Sequence, residues 1–452
     1  MRPTLLTLLT FLYVIMIGMT NPMKTLTFPG DKSISHRLVL LSLLISKTLV
    51  ITNLSSSKDV QTSLDIVKKL GVEVRCSDDG KTVVLSPLNR KDFGEEEIIL
   101  DCGNSGTTAR LLCGILANLK GRFKLVGDES LSKRPMERVV RPLADLMMVN
   151  IRSTDGHLPI YIEAKGKTKA ADFFNKTGSA QVKSAVMFAG LAAEGETIVR
   201  EQVLSRDHTE RLLQVLRHCE NQMLPHEWWG SCHTVTEGAA KQSFAEAWQS
   251  SNSAARLEFR VPGDISSAAY FIVLSLITKK SLKIENILLN STRTGFLNVL
   301  KRMGADIEEQ IKENDWEPIG DLIVKGGNLS ASDITLEEIP SLIDELPILA
   351  VAMVFAEGKS RVSGASELRV KESDRISCLI SQLKKVGINC SEFDDGYEII
   401  GGNKIKPAEL DSFGDHRLTM SFAVLARAAG ADIVVRGRES AAVSFPEFYD
   451  YL

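Results

Sequence analysis

Five basic residues stand in the first turns of stretches that are otherwise apolar. They are Lys32 and Arg37 in PGDKSISHRLVLLSLL from Pro29, Arg110 in GNSGTTARLLCGILANL from Gly103, Lys183 in GSAQVKSAVMFAGLAAEG from Gly178, and Arg417 in GDHRLTMSFAVLARAAG from Gly414. A helix start offers unpaired N–H groups and about half a positive charge, which suits phosphate or carboxylate. Taken singly, the Gly, Ser, Asp and Asn of each stretch read as ordinary helix caps. The cations change that reading, because a charge buried without a partner is expensive and each needs an anion. Asp31, Asp415 and Glu137 are near in sequence but too few.

Further basic groups point the same way. Lys133, Arg134, Arg138 and Arg141 cluster in residues 127–143, Arg206 lies in LSRDHTERL, and Lys371 and Arg375 fall at i,i+4 in RVKESDR. A like-charged pair at that spacing repels, and Glu372, three before Arg375, relieves part of it. Aromatic residues are not interleaved with these runs, so a small, multiply anionic ligand fits better than a nucleic-acid strand. Asp344, in IPSLIDELP from Ile339, reads locally as a helix cap; in a basic cleft it would be a general base. His36 and His416 read as core histidines. No H-x-x-x-H or Walker pattern occurs, so no metal, nucleotide or other cofactor is expected.

The elements that position these groups repeat. Six stretches carry a Gly- or Ser/Asp-rich turn followed by small and branched apolar residues; GDISSAAYFIVLSLI from Gly263 and SLIDELPILAVAMVFAEG from Ser341 complete the set. Counted from Gly30, their starts are 73, 75, 85, 78 and 73 residues apart. Helices apolar nearly all round are buried on every side. Five copies are followed by an amphipathic helix such as GFLNVLKRMGADIEE, with strand-like pieces such as TLVITNL and SLKIENILL between. The expected fold is therefore α/β: a two-lobed, inside-out α/β barrel of six repeated β/α units, with buried helices and outer sheets. Lobe one is expected over 32–257, lobe two over 23–31 and 258–452, and 1–22 as an extension outside the fold. That extension holds an apolar run without a cleavage-site pattern.

The 452 residues suit two domains, and a net charge of −3 with 25% charged and 44% hydrophobic residues excludes a disordered or polybasic chain. Seven cysteines with no C-x-x-C pair argue against a disulfide scaffold and suit a reducing, cytoplasmic setting.

Together GDKSISHR, GNSGTTARL, GSAQVKSA, LIDELPILA with RVKESDRI, and GDHRLTMS resemble the enolpyruvyl transferase family over nearly all of 24–452, in the branch that uses shikimate 3-phosphate. The resemblance implies transfer of the enolpyruvyl group of phosphoenolpyruvate to the 5-hydroxyl of shikimate 3-phosphate, releasing phosphate, in the pathway to chorismate and the aromatic amino acids. It implies two small-molecule substrates in an interlobe cleft, a monomer, and no nucleic-acid or membrane partner. By resemblance Lys32, Ser33, Arg37, Ser179, Gln181, Arg206, Asp344 and Lys371 meet shikimate 3-phosphate. Lys32, Gly106, Arg134, Gln181, Arg375 and Arg417 meet phosphoenolpyruvate, while Asn104 and Arg110 shape that pocket. Asp344 would be the base, and Glu372 or Lys32 the acid.

Three departures stand out. Ala180 occupies a place where some members have serine, Val443 one where some have lysine, and 219–253, with Trp228 and Trp229, replaces an expected strand and turn. A sister activity on a UDP-amino sugar typically needs a reactive loop cysteine, and here Cys102 and Cys113 only flank a glycine motif. A non-catalytic relative would have lost Lys32, Asp344 or Glu372, and all three are present.

Overall fold

The computed structural model describes residues 23–176, 178–220, 232–236 and 256–452. The extension 1–22, the tryptophans 228 and 229 and most of 219–253 lie outside the described residues. Within that last segment Cys232–Thr236 form a strand parallel to Thr197–Glu201.

Six central helices are the frame: α1 (Lys32–Leu41), α2 (Gly106–Leu116), α3 (Ala180–Gly190), α4 (Ile265–Ile277), α5 (Leu346–Phe355) and α6 (His416–Ala429). Five begin on a side-chain cap. Asp31, Ser105, Ser179, Asp264 and Asp415 each accept a backbone N–H from the first turn that follows. The exception is α5. Asp344 is not its cap, contrary to the local reading; it lies in a 3₁₀ turn, Ile343–Glu345, and Pro347 starts the helix without a side-chain cap. The Asp344 carboxylate is thereby left for other partners.

The uniform apolar composition does what it should. Every residue from Leu346 to Val354 in α5 is buried, and so is every residue from Ile34 to Leu41 in α1. Each large aliphatic side chain so placed stabilises the fold by about 1.5–3 kcal/mol. In one half α2 packs on α1 and α3; in the other α4, α5 and α6 pack on one another. We refer to these halves as the two lobes. Gly114 shows how close α2 and α3 come: a Cβ there would lie 2.0 Å from the Ala185 carbonyl oxygen. Alanine at 114 would force the two helices apart.

Sheets cover the outside. Asp92–Asp101, before α2, pairs parallel with Lys120–Val126, after it, and an antiparallel hairpin completes a four-stranded sheet. Around α1 and α4 this pairing is exchanged. Lys24–Leu26, before α1, pairs with Leu282–Leu288, after α4; Arg256–Arg260, before α4, pairs with Thr48–Thr52, after α1. The chain therefore crosses between lobes twice. All five residues of Arg256–Arg260 are paired to Thr48–Thr52.

The crossings touch. Asp31 N–H donates to the Pro262 carbonyl at 2.8 Å, and Asp264 N–H to that of Pro29 at 2.9 Å. No helix among the described residues is long and apolar enough to cross a membrane.

Candidate active site

A cavity of about 420 Å³ lies between the lobes. Lys32 and Ser33 reach it from the start of α1, Gly106 and Arg110 from α2, and Ser179 and Gln181 from α3. Asp344 comes from the 3₁₀ turn, Arg417 from α6, Arg375 from the start of the helix Arg375–Lys385, and Arg134, Arg206, Lys371 and Glu372 from connecting segments. Two expected residues do not line it. Arg37 is buried behind Ser33 and bonds the Ser33 carbonyl (2.8 Å), Ser184 (2.8 Å) and Thr209 (2.7 Å) through its three nitrogens. Asn104 accepts from Arg134 at 2.8 Å and donates to Asp128 at 2.7 Å, so it holds an arginine of the wall.

Protein carboxylates meet several of the cations. Lys32 pairs with Asp59 at 2.9 Å, Arg206 with Asp344 at 2.5 Å, and Arg134 with Glu372 at 3.1 Å. Arg375 bridges Glu372 at 2.5 Å and Asp415 at 2.8 Å, while Arg417 stands 3.9 Å from Asp344 and 3.7 Å from Glu345. Burial alone would raise the Asp344 carboxyl, but Arg206, Arg417, Lys371 and Arg375 hold it well below the usual carboxylate range. The same contest, decided by Arg375 and Arg134, holds Glu372 well down. Burial, with Arg375 close by, lowers Lys371. Both carboxylates are therefore ionised at neutral pH.

One cation of the wall, Arg110, has no such carboxylate among the described residues. Arg110 donates only to neutral acceptors, Gln181 at 2.8 Å and the Pro135 carbonyl at 3.2 Å. Burial, then Arg138 and Arg134, lower its pKa to about 9. The Nε groups of Arg110, Arg134 and Arg138 are all buried and without a partner. Crowded guanidiniums with unmet donors in a cavity wall form a seat for an oxyanion. Gly106 belongs to the same wall: a Cβ there would lie 3.0 Å from an Arg110 nitrogen and 3.2 Å from one of Arg134. Lys183, by contrast, is not part of the site. It is buried between Glu201 (2.8 Å) and Glu210 (2.7 Å), so its anions are the protein's own.

The comparisons with known proteins give the family. The family model described as EPSP synthase (3-phosphoshikimate 1-carboxyvinyltransferase) matches residues 19–224 and 233–452. The chain belongs to the EPSP synthase family. A curated 3-phosphoshikimate 1-carboxyvinyltransferase from a Nitratiruptor species is 42% identical over 424 residues, 93% of each chain. One from Aquifex aeolicus is 41% identical over 429 residues, 94% of this chain and 95% of that one. The solved EPSP synthase of Acinetobacter baumannii has a TM-score of 0.73 at 34% identity, covering 95% of this chain and 94% of that one. The enolpyruvyl transferase NikO of Streptomyces tendae shares the fold, with a TM-score of 0.67 at 14% identity.

Within this EPSP synthase frame, sequence reasoning missed several cavity residues. Asp59, which holds Lys32, is the second residue of the helix Lys58–Lys69. Glu367 pairs with Arg138 at 2.8 Å across the cleft. Arg293, in an unremarkable Ser-Thr-Arg-Thr turn, also lines the cavity. His416 lines it too, and burial pulls that imidazole well below its ordinary value, so it is neutral there. Asp207, His208 and Glu317 group three metal-type ligands in a buried spot. Asn290 donates to both carboxylates at 2.7 and 2.8 Å, and Arg211 to Asp207 at 2.8 Å, so protein donors already serve them.

Proposed function

We propose that this chain joins phosphoenolpyruvate to the 5-hydroxyl of shikimate 3-phosphate in the cavity between its lobes, by addition and then elimination of phosphate. The observation that carries the reading is the wall of Arg110, Arg134 and Arg138, which lines the same cavity as Asp344 and in which Arg110 donates to neutral acceptors alone among the described residues. Each substrate phosphate brings about 1.5–2 negative charges, and the carboxylates add to them. Lys32, Ser33, Ser179, Gln181, Arg206 and Lys371 take the phosphoshikimate, with Arg37 supporting Ser33 from behind. Gly106, Arg134, Arg375 and Arg417, with Lys32 and Gln181, take phosphoenolpyruvate, and Arg110 and Asn104 brace that side. The chain acts as a cytoplasmic monomer on these small molecules, without nucleic acid or membrane.

Asp344 accepts the 5-hydroxyl proton as that oxygen attacks C2 of phosphoenolpyruvate, while Glu372 or Lys32 gives a proton to C3. The group that gave C3 its proton then takes one back, and phosphate leaves as its C2–O bond breaks. A carboxylate held as low as Asp344 or Glu372 is a weak base and at neutral pH carries almost no proton to give. Substrate anions change this: by pairing with Arg206, Arg134 and Arg375 they release both carboxylates toward their ordinary values, so proton transfer awaits a filled cleft. The arginines then stabilise the departing phosphate. With glycine at 106, as in glyphosate-sensitive forms of the family, inhibition by glyphosate competitive with phosphoenolpyruvate is expected.

The test is phosphate release from phosphoenolpyruvate with either shikimate 3-phosphate or UDP-N-acetylglucosamine as acceptor, in the unsubstituted chain and in Asp344→Asn. Release with shikimate 3-phosphate alone, abolished in the variant, supports the reading. Release with the sugar nucleotide, or none from folded protein, refutes it.

A further inference from the structure

The two crossings between lobes are held by one guanidinium that none of the roles above uses. At the first crossing Asp31 caps α1, its Oδ1 accepting the Ile34 N–H at 3.0 Å. At the second, Asp264 caps α4 by accepting from Ser266 N at 2.8 Å, and it also accepts the Lys32 backbone N–H at 3.2 Å. Each aspartate thus fixes the start of a helix, and Asp264 ties its own helix to the start of the other. Arg293 lies between them, 2% exposed. It pairs with Asp31 at 2.7 Å and stands 3.7 Å from Asp264. It donates to Ser266 Oγ at 2.8 Å and lies 3.4 Å from His208 Nε2.

The contacts lead on to the reacting groups. Ser266 Oγ donates in turn to Glu345, the neighbour of Asp344. Arg293 Nε is buried, has no partner, and belongs to a side chain that lines the cavity. Against burial, which raises it, Arg293 and then His208 hold the Asp31 carboxyl down to about 2. Without Arg293 a fully buried carboxylate would lose its charged partner at the point from which Lys32 and Ser33 project. Such a carboxylate must take up a proton, admit water or move.

We infer that Arg293 is a positioning residue for the transfer reaction, locking the two crossings together so that Lys32 and Ser33 face Asp344 across one cavity. The inference rests on the function proposed above. Arg293 acts through Asp31, Asp264 and Ser266, and an error of about 1 Å in placing reacting groups costs on the order of 10²-fold in rate.

The test uses Arg293→Gln and Arg293→Lys in the full chain. Calorimetry with shikimate 3-phosphate counts competent sites, thermal melting reports folding, and phosphate release gives kcat per competent site and KM for both substrates. Arg293→Gln is expected to keep a binding stoichiometry near unity and lose about 10²-fold in kcat per site, with much smaller changes in either KM. A lysine can reach one aspartate but cannot bridge to Ser266 as the planar fork does, so Arg293→Lys is expected to recover roughly tenfold of that loss. A purely structural role would instead lower the number of competent sites and leave kcat per site unchanged in both variants, which overturns the inference. If Arg293→Gln does not fold, Arg293→Lys decides alone: a kcat per site within about twofold of the unsubstituted value overturns it, and a drop of about tenfold supports it. Silence of the unsubstituted chain refutes the function itself; activity there with unaffected variants refutes only the role of Arg293.

Discussion

Lys183 in α3 and Arg110 in α2 hold similar places, one turn into apolar helices that pack against each other, and both are buried. Lys183 has Glu201 at 2.8 Å and Glu210 at 2.7 Å, and these carboxylates raise its pKa despite the burial. Arg110 has only an amide and a backbone carbonyl, and its pKa falls to about 9. The two identical-looking sequence signals therefore mean different things. On the function proposed above, a buried cation matched by the protein's own carboxylates is scaffold, and one left with neutral acceptors and an unmet donor serves the substrate's charge.

Substitutions can break that distinction. Lys183→Met leaves two buried carboxylates facing each other, and should cost about 3–5 kcal/mol in a urea unfolding titration. Activity per folded molecule should survive. Arg110→Gln should do the reverse: phosphate release drops about 10²–10³-fold, equivalent to roughly 2.7–4 kcal/mol, while the urea midpoint holds or rises. If both substitutions destabilise the fold alike, the distinction collapses. Gly106→Ala pushes a methyl between the Arg110 and Arg134 guanidiniums, and steady-state kinetics should show KM for phosphoenolpyruvate raised about tenfold with KM for shikimate 3-phosphate little changed.

Glu317 is the inverse of Arg110, a carboxyl short of positive charge. Burial, then Asp207, push it up from 4.5 to about 8. The folded protein holds that proton more tightly than the unfolded chain, so this contribution is full below about pH 4.5 and is lost as pH rises toward 8, with a slope of at most about 1.4 kcal/mol per pH unit. Urea midpoints across that window should fall with pH in the unsubstituted chain and flatten in Glu317→Gln. The smallest effect belongs to an exposed pair. Lys133 and Glu129, 2.6 Å apart on the surface, should tolerate Lys133→Ala with no measurable change in melting or activity.

Much of this was legible in the sequence, for local reasons. Apolar composition all round, a capping residue at each turn and a spacing near 75 residues marked the inner helices, and those signals depend on neighbours in the chain. What was hidden depends on partners far away. The carboxylates that satisfy Lys183 lie 18 and 27 residues on, so counting only Asp31, Asp415 and Glu137 understated the supply. Nothing in Arg256–Arg260 says that it pairs with Thr48–Thr52. Asp344 looked like a cap because Asp before a Pro-containing helix usually is one; the 3₁₀ turn leaves it to pair with Arg206 instead. Arg37 and Asn104 carried the right chemistry in the motifs, but packing sets them one layer behind the wall. Arg293 gave no local signal, because its role comes from a junction that only the crossings create.

The most direct test of the central claim is the unfolding free energy of the unsubstituted chain and of Arg110→Gln, each measured without ligand and with shikimate 3-phosphate plus inorganic phosphate. Saturating ligand at about 100 times its Kd should stabilise the unsubstituted chain by about 2.7 kcal/mol. Arg110→Gln should match or exceed that chain when empty and gain far less when the ligands are added. An empty variant as badly destabilised as Lys183→Met, or one that gains as much from the ligands as the unsubstituted chain, would contradict the claim that this wall is built for a substrate's charge.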